Sequence, residues 1–216
     1  MRPIDGPIDA KELNGSMSSP DEEPEALSAP SFHAAPPRVA ELASACVRFV
    51  LAKYGVVLDG MPDTLSIVDQ YVRDARTELL VQPEGLPLLA ATVGAYFGEV
   101  VRGAFESSWR IEDEHDAWRL EMESVYLTFN PIGMAHEALT LADAEGWHAH
   151  FEMDEAERED VERRLAALPE VSDDEYYALS TRFDVVEIAV DALRAKMIAS
   201  GLGGVRFTRL DYGNKP

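Results

Sequence analysis

Residues two apart on an extended chain project to the same side. The run Trp147-His148-Ala149-His150-Phe151-Glu152-Met153 therefore sets His148, His150 and Glu152 on one face and the apolar residues on the other. Two imidazoles and a carboxylate are ligands that zinc or another divalent ion accepts. The plainer reading is a solvated strand face that contains histidines, because a metal centre also needs groups that orient its ligands. Metal is thus expected to bind there weakly or not at all, and no cofactor is called for. His136-Glu137 is not the metalloprotease helix motif, since position 140 is threonine where that motif has its second histidine.

A second carboxylate stands out in Thr92-Val93-Gly94-Ala95-Tyr96-Phe97-Gly98-Glu99-Val100-Val101-Arg102. Gly94 and Gly98 share one face of a helix, and each costs helix stability relative to alanine, so close approach of another backbone is the expected gain. Glu99 falls beside that face in an otherwise apolar helix. Arg102, one turn on, is placed to pair with it; a Glu99 that faces a ligand, with Tyr96 beside it, is the alternative.

Other candidates carry less chemistry. Glu112-Asp113-Glu114-His115-Asp116 lacks the ligand order and central glycine of an EF-hand loop and reads as a solvated turn. There is no Gly-x-Ser-x-Gly elbow, and Gly201-Leu202-Gly203-Gly204 lacks the Lys-Ser/Thr of a phosphate-binding loop. Cys46, the only cysteine, falls on the apolar side of a helix, where a thiol behaves as a small hydrophobe.

These groups must be positioned by elements whose periods are legible. Val39, Leu42, Cys46, Phe49 or Val50, and Lys53 recur at helical spacing, and Gly55 follows at the C-terminal cap position. Leu65, Val68, Val72 and Ala75 mark a second helix, capped by Asp63 or Thr64. Pro83, Gly85 and Pro87 separate it from a third, largely buried helix over Leu88 to Arg102. The pattern then alternates: Trp118, Leu120 and Met122, and next Val125, Leu127 and Phe129, predict two half-buried strands, with Trp109 and Ile111 in an earlier one.

Beyond Asn130-Pro131-Ile132-Gly133 a short helix is predicted from Met134 to Ala144, then the histidine-bearing strand, then a charged helix from Asp154 that Pro169 stops. The longest helix is predicted from about Asp173 to Ser200, with Tyr176, Leu179, Phe183, Val186, Val190, Leu193 and Met197 in one seam. That seam serves either to lay the helix across the sheet of its own domain or to form a homodimer. Val205 to Leu210 is expected to return as a last strand. Residues 1–36, rich in proline, serine and acid, are predicted to be a disordered tail, and 37–216 a single domain.

The combination GAYFGEVVR, Trp109, Trp118-Arg119-Leu120-Glu121-Met122 and Phe129-Asn130-Pro131 resembles a group of uncharacterised bacterial proteins. These carry a comparable glycine-containing helix ahead of a short antiparallel sheet. The resemblance covers Gly60 to Gly133 and implies bacterial origin and an α+β domain. It brings no assigned activity and no catalytic residues.

The charge narrows the partners. Forty Asp and Glu residues against 19 Lys and Arg give a formal net charge of -21. Such a field repels nucleic-acid phosphates and anionic lipid headgroups, which leaves basic or neutral partners. No secretory leader and no stretch long enough to span a bilayer is read in the chain, so it is expected to be cytoplasmic. The expected fold is a single α+β domain: N-terminal helices, an antiparallel sheet of about four or five strands, and a long C-terminal helix over one face. The expected function is that of a non-enzymatic binding protein, such as an adaptor, chaperone-like or toxin-neutralising factor, presenting its acidic surface to a basic protein. The competing expectation is a hydrolase-like enzyme or small-ligand binder with a pocket near Glu99 and the His148, His150 and Glu152 face.

Overall fold

The computed structural model describes residues 30–32 and 34–213. The tail expected over residues 1–36 lies outside the described residues as far as residue 29. Phe32 is already part of the core, edge-on to Tyr96 with ring centroids 6.2 Å apart, so packing begins ahead of Pro37.

Three helices come first. α1 (Pro37–Tyr54) buries Val39, Ala43, Cys46, Val47 and Val50, and Gly55 ends it in the left-handed region at φ 69°, its N–H donating to the Leu51 carbonyl at 2.8 Å. Burial pushes the Cys46 thiol up to about 12, which removes it as a nucleophile. α2 (Leu65–Leu79) starts from a 3₁₀ turn at Pro62–Thr64 and not from a side-chain cap. The Thr64 hydroxyl is engaged with the Met61 carbonyl, Asp59 and the Tyr96 hydroxyl. α3 (Leu86–Ala104) is buried along its whole middle stretch, from Ala90 to Val101.

The sheet is an antiparallel meander: β1 (Ser107–Arg110), β2 (Arg119–Met122), β3 (Leu127–Phe129) and β4 (Glu152–Met153), in that order. In the register, Trp109, Leu120 and Phe129 face one another, and Ser108, Glu121, Thr128 and Glu152 form the neighbouring row. The alternation is therefore real, but β2 and β3 are buried on both faces where half-burial was expected. Arg119, Glu121 and Thr128 lie inside on the polar face. Burial raises the Glu121 carboxyl above its ordinary value, against the opposing pull of Arg110, whose Nη1 is 3.1 Å away.

After the sheet's first three strands come α4 (Pro131–Thr140), then, beyond β4, α5 (Glu155–Leu165), α6 (Asp173–Tyr176), α7 (Leu179–Ala199) and α8 (Arg209–Gly213). The described residues thus form one mixed helical and antiparallel domain, as the periodicity predicted. α3 packs against both α1 and α4. No described helix is long and apolar enough to cross a membrane.

Three local expectations change. The helix expected from Asp173 to Ser200 is broken: Ala178 is extended at φ -61° and ψ 138°, separating α6 from α7. The central seam residues Leu179, Phe183, Val186, Val190 and Leu193 are buried in the chain's own core, whereas Tyr176, before the break, is exposed. α7 packs chiefly on α5 and α2, so its main partners are helices and not the sheet. No strand forms over Val205 to Leu210: residues 205–208 are irregular, with Phe207 N–H donating to the Glu123 carbonyl at 2.8 Å, and Arg209 and Leu210 open α8. Tyr212 of α8 then plugs the β2–β3 turn, its hydroxyl 2.6 Å from the Met122 carbonyl and accepting from Leu127 N–H at 3.1 Å.

Candidate functional site

Glu99 is buried and fully engaged. Arg102 donates twice to it, Nε to Oε1 at 2.9 Å and Nη2 to Oε2 at 2.7 Å, and Trp109 Nε1 donates to Oε1 at 2.8 Å. The hydrogen bond to Glu99 raises Arg102 above the ordinary guanidinium value. The glycines explain the arrangement. A Cβ on Gly98 would stand 2.2 Å from the Trp109 ring, and one on Gly94 would stand 2.4 Å from the Ile132 Cα. Gly98 admits the indole that satisfies Glu99, and Gly94 admits the first turn of α4. Tyr96 is buried too, its hydroxyl accepting from Gly60 N–H at 3.1 Å, and burial pushes it up to about 12. Gly94, Gly98, Glu99 and Arg102 thus meet α4 and Trp109 while Tyr96 packs toward Phe32, Gly60 and Thr64, and every polar atom named has a partner within the chain.

His148, His150 and Glu152 do not share a face. β4 is only Glu152–Met153, and ahead of it Gly146 and His148 both have positive φ, 82° and 51°. These left-handed residues break the extended alternation that the side-chain pattern assumed. His148 Nδ1 meets Glu152 Oε1 at 2.5 Å, while His150 turns elsewhere. His150 Nε2 lies 3.6 Å from Glu137 Oε1 and 3.9 Å from Asp143 Oδ1.

Glu137 is the functional candidate that sequence reasoning missed. It sits in α4 with no solvent exposure, receives Arg182 Nη2 on Oε2 at 3.0 Å, and receives the Ala144 N–H on Oε1 at 3.1 Å. The chain reaches that second bond because Leu141 ends α4 in the left-handed region at φ 53°, a strain of about 1 kcal/mol for a residue with a Cβ. The turn brings Asp143 and Ala144 back over Glu137. The Tyr177 hydroxyl donates to Asp143 Oδ1 at 3.0 Å; burial first and Asp143 second push that phenol up to about 12. Arg182 is stacked under Tyr176 and Tyr177, 4.5 and 5.4 Å from their ring centroids, and its buried Nε has no hydrogen-bond partner among the described residues. His136, next to Glu137, stacks on Trp147 at 4.9 Å, and burial lowers it below the ordinary imidazole value. The available signal was a glutamate inside the apolar run of α4 together with an arginine directly beside the seam residue Phe183.

Beside this cluster runs a groove of about 960 Å³ between α5, α6 and α7, with His150 and Arg182 at its wall. Met134, Phe151, Leu165, Val185 and Ile188 give it an apolar floor, and Glu170, Glu175, Asp184 and Glu187 stand exposed along it. Comparison with protein-family models, with curated proteins and with solved structures gave no match. Function is therefore read from the geometry of the chain itself.

Proposed function

We propose that this is a non-enzymatic cytoplasmic binding protein whose partner is a basic protein, engaged through a segment that is apolar on one side and cationic on the other. The observation that carries the reading is the groove along α5, α6 and α7: an apolar floor for the apolar side and four carboxylates for the cations. Apolar burial in such a groove supplies affinity. The carboxylates, within a chain of net charge -21, speed and orient the encounter. The thiol of Cys46, free and buried, suits a reducing compartment. The enzyme reading near Glu99 gains nothing, because Glu99 is sealed and already holds three donor hydrogens.

A fluorescent amphipathic helical peptide with a leucine face and a lysine face is a direct probe, with its glutamate counterpart as control. Anisotropy is expected to show binding of the lysine peptide only, weakened about tenfold or more between roughly 50 and 500 mM salt. The double charge reversal Glu175→Lys with Glu187→Lys, at exposed positions, is expected to abolish it. Equal binding of both peptides, or an affinity that survives the double reversal, would overturn the proposal.

A further inference from the structure

Glu137, Asp143 and His150 come in turn from α4, the loop after it and the run before β4, yet their donor atoms all lie within 4.8 Å of one another. The spacings are informative. At 3.6 and 3.9 Å, His150 Nε2 is too far from either carboxylate oxygen for a hydrogen bond. Two ligands each about 2.1 Å from a shared tetrahedral ion stand about 3.4 Å apart, and the two separations from His150, 3.6 and 3.9 Å, are a little wider than that. We propose that Glu137 Oε1, Asp143 Oδ1 and His150 Nε2 form a divalent-metal site, with zinc as the ion that suits the mixed nitrogen and oxygen donors.

The groups around the donors support the assignment. Metal-binding carboxylates are oriented by outer hydrogen bonds, and here Arg182 and the Ala144 N–H hold Glu137 while Tyr177 holds Asp143. Arg182 offsets part of the charge of Glu137, which makes the site weaker than an all-anionic one. On its open side lies a cavity of about 540 Å³ lined by Asp143, Glu145, Gly146, His148 and His150, with room for a water as the fourth ligand. His148 lies on that cavity but is committed to Glu152 at 2.5 Å, so it is not a ligand.

The test is calorimetric titration of the full chain with zinc chloride, paired with the visible spectrum of the cobalt(II)-loaded protein. Saturable uptake of one ion per chain is expected, with the intense cobalt bands of four-coordination. His150→Ala and Asp143→Asn are each expected to weaken uptake about tenfold or more, and His148→Ala to leave it unchanged. All three positions are exposed, so folding is spared, and circular dichroism verifies this. Absent uptake, uptake retained in both His150→Ala and Asp143→Asn, or an equal loss in His148→Ala would overturn the site.

Discussion

Glu99 and Glu137 are both carboxylates sealed inside apolar helices, and each is answered by an arginine, one local and one distant. Arg102 is three residues from Glu99, while Arg182 is 45 residues from Glu137. Pairing is what permits burial, because a carboxylate left without a cation in the interior loses its hydration with nothing in return. Arg102→Ala is accordingly expected to cost about 3 kcal/mol in urea unfolding, at the low end for a broken buried pair since Arg102 retains some exposure and Trp109 still donates to Glu99. A cost below about 0.5 kcal/mol, the size of a surface pair, would show that Trp109 alone satisfies the carboxylate.

At the scale of elements, the break between α6 and α7 is the departure with the clearest cause. Ala178, the residue preceding α7, has no side chain to cap the helix. Asp69 of α2 does so across the fold: its carboxylate accepts from Leu179 N–H at 2.7 Å, from Ser180 N–H at 3.3 Å and from the Ser180 hydroxyl at 2.6 Å. Ser172 caps α6 in the ordinary local way, through Glu175 N–H at 3.4 Å. Negative charge at a helix N-terminus is favourable, and this one is buried, so its removal leaves donors unsatisfied away from water. Asp69→Ala should therefore lower stability by about 2–3 kcal/mol, more than the ~1 kcal/mol of a typical surface cap. Chemical denaturation measures this, and a loss no greater than that of Ser172→Ala would refute the cross-fold cap.

For the whole molecule, Glu99, Glu121 and Glu137 are buried against arginines, of which Arg182 is buried while Arg102 and Arg110 stay partly exposed, so most of the acid behind the net charge of -21 stands on the surface. Self-repulsion among the remaining carboxylates opposes compactness and is screened by salt. The thermal midpoint is expected to rise by several degrees between roughly 20 and 300 mM sodium chloride, and a calorimetric scan that shows a fall would contradict it. Charge, the α1 to α3 helices, the alternation in β2 and β3 and the need for close approach at Gly94 and Gly98 were legible in the sequence, because each depends on neighbours within a turn or two of chain. The Glu99–Arg102 pair was legible for the same reason. The cluster at Glu137 was not, nor the cap from Asp69, whose partner is 110 residues away. Alternation placed His148 with His150, but the left-handed turns at Gly146 and His148 sent the two rings to different partners. Which face a residue presents is decided by local periodicity; which distant group it meets is decided by how loops direct the backbone, and only the tertiary structure settles that.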